Sequence, residues 1–347
     1  MTVYTVNKFG VNINNCGNSW LIKARLVGVV KLSKVASRTI DLPEDFSFEL
    51  MASAYNFSWY FDGSELIIPI GHGELTIAVV GKEGKEELRI TLFSQKKINY
   101  VDALFEKVED VIGINEDLKD FHKIWRRDPL LSQSYDFLRG FRLRKTGLWN
   151  ALLIGVCQQN ASFRQGWNML ALIYKNLGLK VEIEGGKATI VPPSPERIAR
   201  SSVGELRKCK LGYRAETVKK CAEAFYSGIL SEEDVHKYGE EDLTEIRGIG
   251  KYTARLALIL SDRRYELPPI DRWLARIISE VYNVHVREAE GEWVSRWGKW
   301  CGLAAFITTL ALDAEPLTQA LRRIRERKVT PTFNESKVTP LTLWKFI

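Results

Sequence analysis

An α+β fold, with an antiparallel β-sheet domain over residues 1–100 and a mostly helical remainder, is what this sequence predicts. Three observations carry that expectation. Residues 1–100 hold short apolar stretches broken by turn signals, such as Asp62-Gly63 and Gly81-Lys82-Glu83-Gly84. Alternation at period two marks a half-buried strand. From residue 101 the apolar spacing changes to three and four, as in Asp102–Ile112 and Asp117–Trp125, which marks a helix with one buried face. Further on, two helical stretches flank a tight Gly248-Ile249-Gly250 turn, so residues 243–253 read as helix, hairpin, helix.

Composition sets the bounds. A chain of 347 residues with 45% hydrophobic and 27% charged residues is long enough for two domains or one large one. A formal charge of +7 leans towards a polyanionic partner. The five cysteines, Cys16, Cys157, Cys209, Cys221 and Cys301, are scattered and odd in number, which argues against a disulfide framework and for a reducing compartment. Met1–Gly10 carries no basic segment followed by an apolar run, so no secretory leader is expected. No uninterrupted apolar run reaches the length of a membrane span. An intracellular protein, cytoplasmic or nuclear, monomeric and with no membrane partner, is the expectation.

The elements follow in order. Alternations over Trp20–Val30, the Phe57–Ile70 stretch turning at Asp62-Gly63, and the Leu75–Val80 and Leu88–Phe93 pair predict a sheet of about five or six strands. The basic stretches Trp125–Asp128 and Arg139–Lys145 read as a solvated face or an approach to a polyanion. Thr146–Leu170 reads as two helices around a polar break, Gln158-Gln159-Asn160-Ala161-Ser162, with Ser162 placed to cap the second. Val181–Val191 turns at Gly185-Gly186 as a small hairpin. Ser194-Pro195 puts a cap and a first-turn proline at a helix start. Residues 287–313 predict a long helical region, with Trp293, Trp297 and Trp300 on one face as a core stripe. Residues 314–347 form a basic extension, with Arg322, Arg323, Arg325, Arg327 and Lys328 either touching phosphate or simply solvated.

The chemistry concentrates in residues 243–274. Two glycines around one apolar residue permit a sharp turn, since glycine takes positive φ without a Cβ clash. Free N–H groups then open the helix at Lys251, a ready anion site. About twenty residues on, Asp271 follows the rigid Pro268-Pro269 pair and precedes the helical run Arg272–Ile278. Such an aspartate is ordinarily an N-cap. That role does not conflict with chemistry, because helix N-terminal donors favour the ionised carboxylate.

This pattern resembles the helix-hairpin-helix DNA glycosylases, which cut the bond between a damaged base and its sugar. Three landmarks carry the resemblance over residues 146–312: the Gln-Gln-Asn break, the segment Leu211-Gly212-Tyr213-Arg214-Ala215, and the hairpin with Asp271. The resemblance implies double-stranded DNA with a damaged base as partner and Asp271 as the catalytic carboxylate. It implies Gly248, Gly250, Lys251 and Thr253 at a DNA phosphate, with Arg214 also on DNA. Gln159 and Asn160 become the residues that fill the gap left by the extruded base, although a loop that merely caps helices reads the same way. Tyr252 and Leu256 become base-pocket residues. No cofactor or catalytic metal is implied, beyond a monovalent cation held by hairpin carbonyls. Only Cys301 lies beyond the hairpin, so the four-cysteine iron–sulfur cluster of one branch is absent.

Bifunctional members attack with a lysine two residues after the second hairpin glycine; here that position is Tyr252. Lys251 lies one residue earlier, about 100° around the helix, and leaves from another face. The expectation is therefore a monofunctional glycosylase that releases an alkylated or deaminated base, closest to the alkylpurine type, where an aromatic wall suits an electron-poor base, although Tyr252 does not by itself fix the substrate. The Arg296-Trp297-x-x-Trp300 pattern agrees with that type. The alternatives are an 8-oxoguanine glycosylase with lyase activity, although Leu256 stands where that type carries cysteine, and a non-catalytic DNA-binding protein. Whether Asp271 faces an aromatic pocket or solvent separates the enzyme from the binding protein.

Overall fold

The computed structural model describes residues 30–70 and 74–347; the expected Trp20–Val30 strand, all but Val30, and Cys16 lie outside the described residues. Six strands form one sheet: β1 Val30–Asp41, β2 Glu65–Pro69, β3 Thr76–Lys82, β4 Glu87–Ser94, β5 Leu179–Ile183 and β6 Lys187–Val191. Their order is β2-β3-β4-β1-β5-β6. Neighbours run antiparallel, except that β5 pairs with β1 in parallel, Val30 opposite Val181. The sheet thus does not end at residue 100. The Gly185-Gly186 hairpin, its turn at φ +95° and +89°, adds two strands from the middle of the chain.

The Asp62-Gly63 hairpin expected between two strands is reduced to one bridge, Phe61 opposite Leu66. Tyr60 and Phe61 donate back to the Phe57 carbonyl, each at 3.0 Å, so residues 57–61 coil rather than extend. Asp62 Oδ1 accepts from the Ser64 and Glu65 N–H groups at 2.9 and 2.8 Å, an Asx turn that stands alone without a ladder. This coil fills another role. The Tyr60 carbonyl accepts from Ile67 of β2 at 2.6 Å, while the Tyr60 hydroxyl donates to the Ile190 carbonyl and Thr189 donates to the Trp59 carbonyl at 2.7 Å, both on β6. The two edge strands of the sheet are therefore tied through one segment, which hides edges that would otherwise pair with other chains.

One face of the sheet packs Leu66, Ile68, Val80, Leu88, Ile90 and Leu92 against α1 (Phe48–Ser53) and α2 (Val101–Ile112). The other face has its own cluster around Leu32, Ile77, Val79, Phe93, Val181 and Ile183. The helical part comprises, with shorter turns between, α3 Lys119–Trp125, α4 Leu148–Gln158, α5 Phe163–Leu177, α6 Arg214–Tyr226, α7 Glu240–Thr244, α8 Lys251–Asp262, α9 Arg272–Tyr282, α10 Ala289–Trp297, α11 Cys301–Ala311 and α12 Leu317–Arg325. Among the described residues no helix is long and apolar enough to cross a membrane. The four described cysteines are all buried and free.

Two expectations change here. The long helix over 287–313 is broken at Gly298, φ +51°, where a 3₁₀ turn separates α10 from α11. Trp293 and Trp297 are fully buried and Trp300 packs beside them against the core, as a core stripe should. The 314–347 extension is integral to the fold. Arg323 is buried and donates to Asp313 and Glu315 at 2.9 and 3.1 Å. Beyond it the chain returns to the sheet: Leu341 and Leu343 are buried, and Trp344 meets Phe61 edge-to-face at 4.8 Å between centroids. Trp344→Ala is expected to cost about 2–3 kcal/mol by leaving a cavity at this seam; chemical denaturation would show a lower midpoint at unchanged slope.

Candidate active site

The hairpin lies between α7 and α8. Gly248 has φ +101°, and a Cβ there would sit 2.2 Å from Thr217 Oγ1; glycine is required twice over. Gly250 differs from expectation, having an extended backbone with φ −106° and ψ 174° and no atom within 4 Å of an added Cβ. Only the first glycine is needed to make the turn. The second leaves open space at the helix start, where another backbone can approach closely. No side chain caps α8, so its first N–H groups stay available to an anion. Lys251 beside them is exposed, with Glu240 at 3.7 Å.

Thr253 does not face outward. It is buried, and its methyl group stands where a Cβ on Gly155 of α4 would approach to 2.9 Å. Its side chain therefore cannot meet DNA, though its N–H still belongs to the helix start. Its hydroxyl accepts from Gln159 Nε2 at 2.8 Å, and the same amide donates to the Gly248 carbonyl at 2.9 Å. Gln159 is thus tied to the hairpin and does not project. Asn160 does: it is exposed, with φ +45°. Arg214, expected on DNA, instead donates to the carbonyls of Gln159 and Asn160 and lies 4.6 Å from the Tyr213 ring centroid. It shapes the turn. Tyr213 was not singled out by sequence reasoning, yet it stands exposed with its hydroxyl 3.4 Å from Asn160 Nδ2. The aromatic residue inside Leu211–Ala215 was the available signal.

The basic stretch 139–145 is structural. Arg142 is buried and pairs with Asp45 at 2.9 Å. Arg144 donates to the carbonyls of Met51, Ala52 and Ala54. Lys145 pairs with Asp110 at 2.9 Å. These three charges join the helical part to the sheet side of the molecule or to α2, which leaves Arg139, exposed at the start of the stretch, as its one cation open to a polyanion.

Asp271 is the N-cap of α9, its Oδ1 accepting from the Leu274 N–H at 2.8 Å. Ile270 donates to the Pro268 carbonyl at 2.9 Å, which fixes the approach. The carboxylate is accessible from a cleft of about 1460 Å³ between the sheet side and the helices. Tyr55, Phe163, Trp167, Tyr252, Leu256 and Phe306 line it with Asp271. The aspartate therefore faces an aromatic cleft. Crowding by protein raises its pKa above the ordinary carboxylate value, against the pull of the Leu274 and Trp273 N–H groups. Burial, then the Asp271 charge, raises the Tyr252 phenol, which stays neutral. Among the described residues the lysines lining the cleft are Lys107, Lys145 and Lys337. Glu232 and Glu233 act on Lys107, Asp110 pairs with Lys145 and Glu315 lies 3.8 Å from Lys337. None is on α8.

No family model matches the chain. The DNA-3-methyladenine glycosylase of Bacillus subtilis (strain 168) is 27% identical over 215 residues, 59% of this chain and 71% of that protein. A probable N-glycosylase/DNA lyase of Methanothermobacter thermautotrophicus is 26% identical over 215 residues, 53% of this chain and 67% of that protein. The solved 3-methyladenine DNA glycosylase of Archaeoglobus fulgidus superposes with a TM-score of 0.67 at 19% identity, covering 83% of this chain and 98% of that one; at that identity the likeness is one of fold. The fold is that of solved DNA glycosylases. The chain is a relative of these DNA glycosylases, with alkylpurine and lyase types both among its relatives.

The two glycines separate folding from binding. Gly248→Ala is expected to cost about 1–3 kcal/mol in stability through strain and the Thr217 clash. Gly250→Ala should unfold within about 0.5 kcal/mol of the native protein yet bind duplex several-fold more weakly, read by thermal melts and fluorescence anisotropy side by side.

Proposed function

We propose that this chain is a monofunctional DNA glycosylase that extrudes an alkylated or deaminated purine and hydrolyses its N-glycosidic bond. The observation that carries the reading is Asp271, held as a helix cap yet accessible from a cleft walled by aromatic rings, beside a hairpin that leaves N–H groups free for a phosphate. The relatedness to DNA glycosylases supports the reaction class. The cleft supports the substrate: the rings that line it with Asp271 are neutral and electron-rich, which favours a cationic or electron-poor base by about 0.5–2 kcal/mol per cation–π contact.

The residues divide the work. A base inside a duplex is out of reach, so it must leave the stack, at a cost of a few kcal/mol that is smallest for a damaged base. Asn160 on the held turn and Tyr213 beside it, at the start of α6, fill the space it vacates. The α8 N–H groups and Lys251 hold the backbone. As the base departs, positive charge develops on the sugar, and the Asp271 carboxylate stabilises it and orients the attacking water. The base leaves with the bonding electron pair, and water supplies the new C–O bond and the proton. Tyr252 in place of a lysine supports base release without strand cleavage. The carbonyls of Ile246 and Gly248 each accept one hydrogen bond and keep a second lone pair that would serve a monovalent cation at the hairpin; no step depends on it.

The test is a panel of duplexes, each with a single lesion (hypoxanthine, 7-methylguanine, 1,N6-ethenoadenine, uracil, 8-oxoguanine), assayed with and without alkali. Breaks that need alkali are expected. Breaks without it, trapped on the protein by borohydride, would show that a lysine attacks. Asp271→Asn should lower base release by roughly 10²–10³-fold or more. Because the folded state raises the Asp271 pKa, its charge costs stability above that value, and stability from this group falls as pH rises through the shift. Asparagine keeps the cap and removes the charge, so the melting temperature of Asp271→Asn at pH 7 should equal or exceed that of the native protein. Activity should fall on acidification through the raised pKa. Lys251→Ala should keep the chemistry but weaken duplex binding and reduce the salt slope by about one.

A further inference from the structure

We propose that Tyr55 reads the substrate: its hydroxyl donates a hydrogen bond to an acceptor on the edge of the extruded purine, so the sheet side of the molecule sets lesion preference. The inference rests on the glycosylase reading above.

Tyr55 follows α1 and has φ +53°, a left-handed conformation uncommon for a residue with a large side chain. Distant segments hold it there. Arg144 grips the carbonyls of Met51, Ala52 and Ala54, the last two at 3.2 and 2.9 Å. Asn56 Nδ2 donates to the Ala52 carbonyl at 2.7 Å, and its Oδ1 accepts from the Phe57 N–H at 3.0 Å. The Tyr55 N–H donates to the Pro340 carbonyl at 2.7 Å. A backbone so over-determined in a sparsely populated region points to function at its side chain.

That side chain stands in the cleft. Its ring lies 6.2 Å from Phe163, 6.0 Å from Trp167 and 5.7 Å from Phe306 between centroids. The hydroxyl is buried without a hydrogen-bond partner. Thr309 is close; it donates to the Ala305 carbonyl at 3.1 Å, and its oxygen, though an acceptor, stands outside hydrogen-bond geometry with the phenol. A buried donor without an acceptor is rare. One inside a ligand cleft is accounted for when the ligand brings the acceptor. Burial, and the nearby Tyr252, push the Tyr55 phenol well above its ordinary range, so the group stays a donor. A purine alkylated at one ring position still offers its remaining ring nitrogens or an exocyclic oxygen as acceptors. A site built around one hydrogen bond discriminates far better than an apolar wall against bases that lack the matching atom.

Tyr55→Phe removes the hydroxyl and nothing else. Single-turnover excision across the lesion panel should fall by about 10–100-fold on the preferred lesion and much less on the poorest, flattening the ranking. Affinity for a duplex with an abasic-site analogue, and the melting temperature, should stay as in the native protein. Rates that stay within threefold on every lesion, or fall by one common factor, would overturn the role of Tyr55 while leaving the glycosylase reading intact. A native protein that releases no base from any duplex would overturn both.

Discussion

The contact between α4 and α8 is the constraint on which the site depends. Gly155 presents no side chain to Thr253, so the two helices pack with their backbones close. That closeness puts the C-terminal end of α4 beside the N-terminal end of α8. The polar turn at 159–162 and the hairpin at 245–250 then become neighbours, and one amide, that of Gln159, spans them. The turn proposed to enter a duplex and the helix start proposed to hold its backbone are thereby joined through one side chain. Relative motion between them would break both hydrogen bonds of that amide, and the one to Thr253, whose side chain is buried, is costly to leave unmade.

The electrostatics of the cleft follow from the same frame. Asp271 is charged by the N–H groups it caps and discouraged from charge by its crowded setting, and the second effect wins. Tyr55 and Tyr252 both stay neutral because burial disfavours the phenolate. Of the arginines lining the cleft, Arg144 is consumed by carbonyls and Arg142 by Asp45. Beside Asp271 the cleft presents the neutral rings of Tyr55, Trp167, Tyr252 and Phe306, a setting of low polarity in which a carboxylate acts strongly on nearby positive charge.

Much of this was legible in the sequence, and what was not has physical reasons. The hairpin, the Asp271 cap and the Ser162 capping box with Gln165 follow from local chemistry: glycine, proline and short polar side chains act on their own neighbourhood. The roles of Gln159, Thr253 and Arg214 do not. Each depends on what the packing of α4, α6 and α8 sets opposite it, which no spacing along the chain encodes. The same holds for Arg142 and Arg144, whose charges read as surface until distant carbonyls and Asp45 appear around them. The strand pairing of β5 with β1 is a long-range event between residues 30 and 181, invisible to local alternation. Tyr55 had no sequence signal at all, because its meaning lies in a backbone conformation and an unfilled hydroxyl.

The anchoring of Tyr55 to Pro340 bears on how the protein is made. Residue 55 leaves the ribosome early, with its helix and most of the sheet soon after it. The carbonyl that receives its N–H is synthesised far later, after the hairpin, Asp271 and α11. Contacts of such sequence separation are slow to form. A nascent chain can therefore hold a folded hairpin and an ordered aspartate while its base pocket still lacks one wall. Completion of the cleft is a late event in synthesis, and a molecule truncated before residue 340 would carry the DNA grip without the finished pocket.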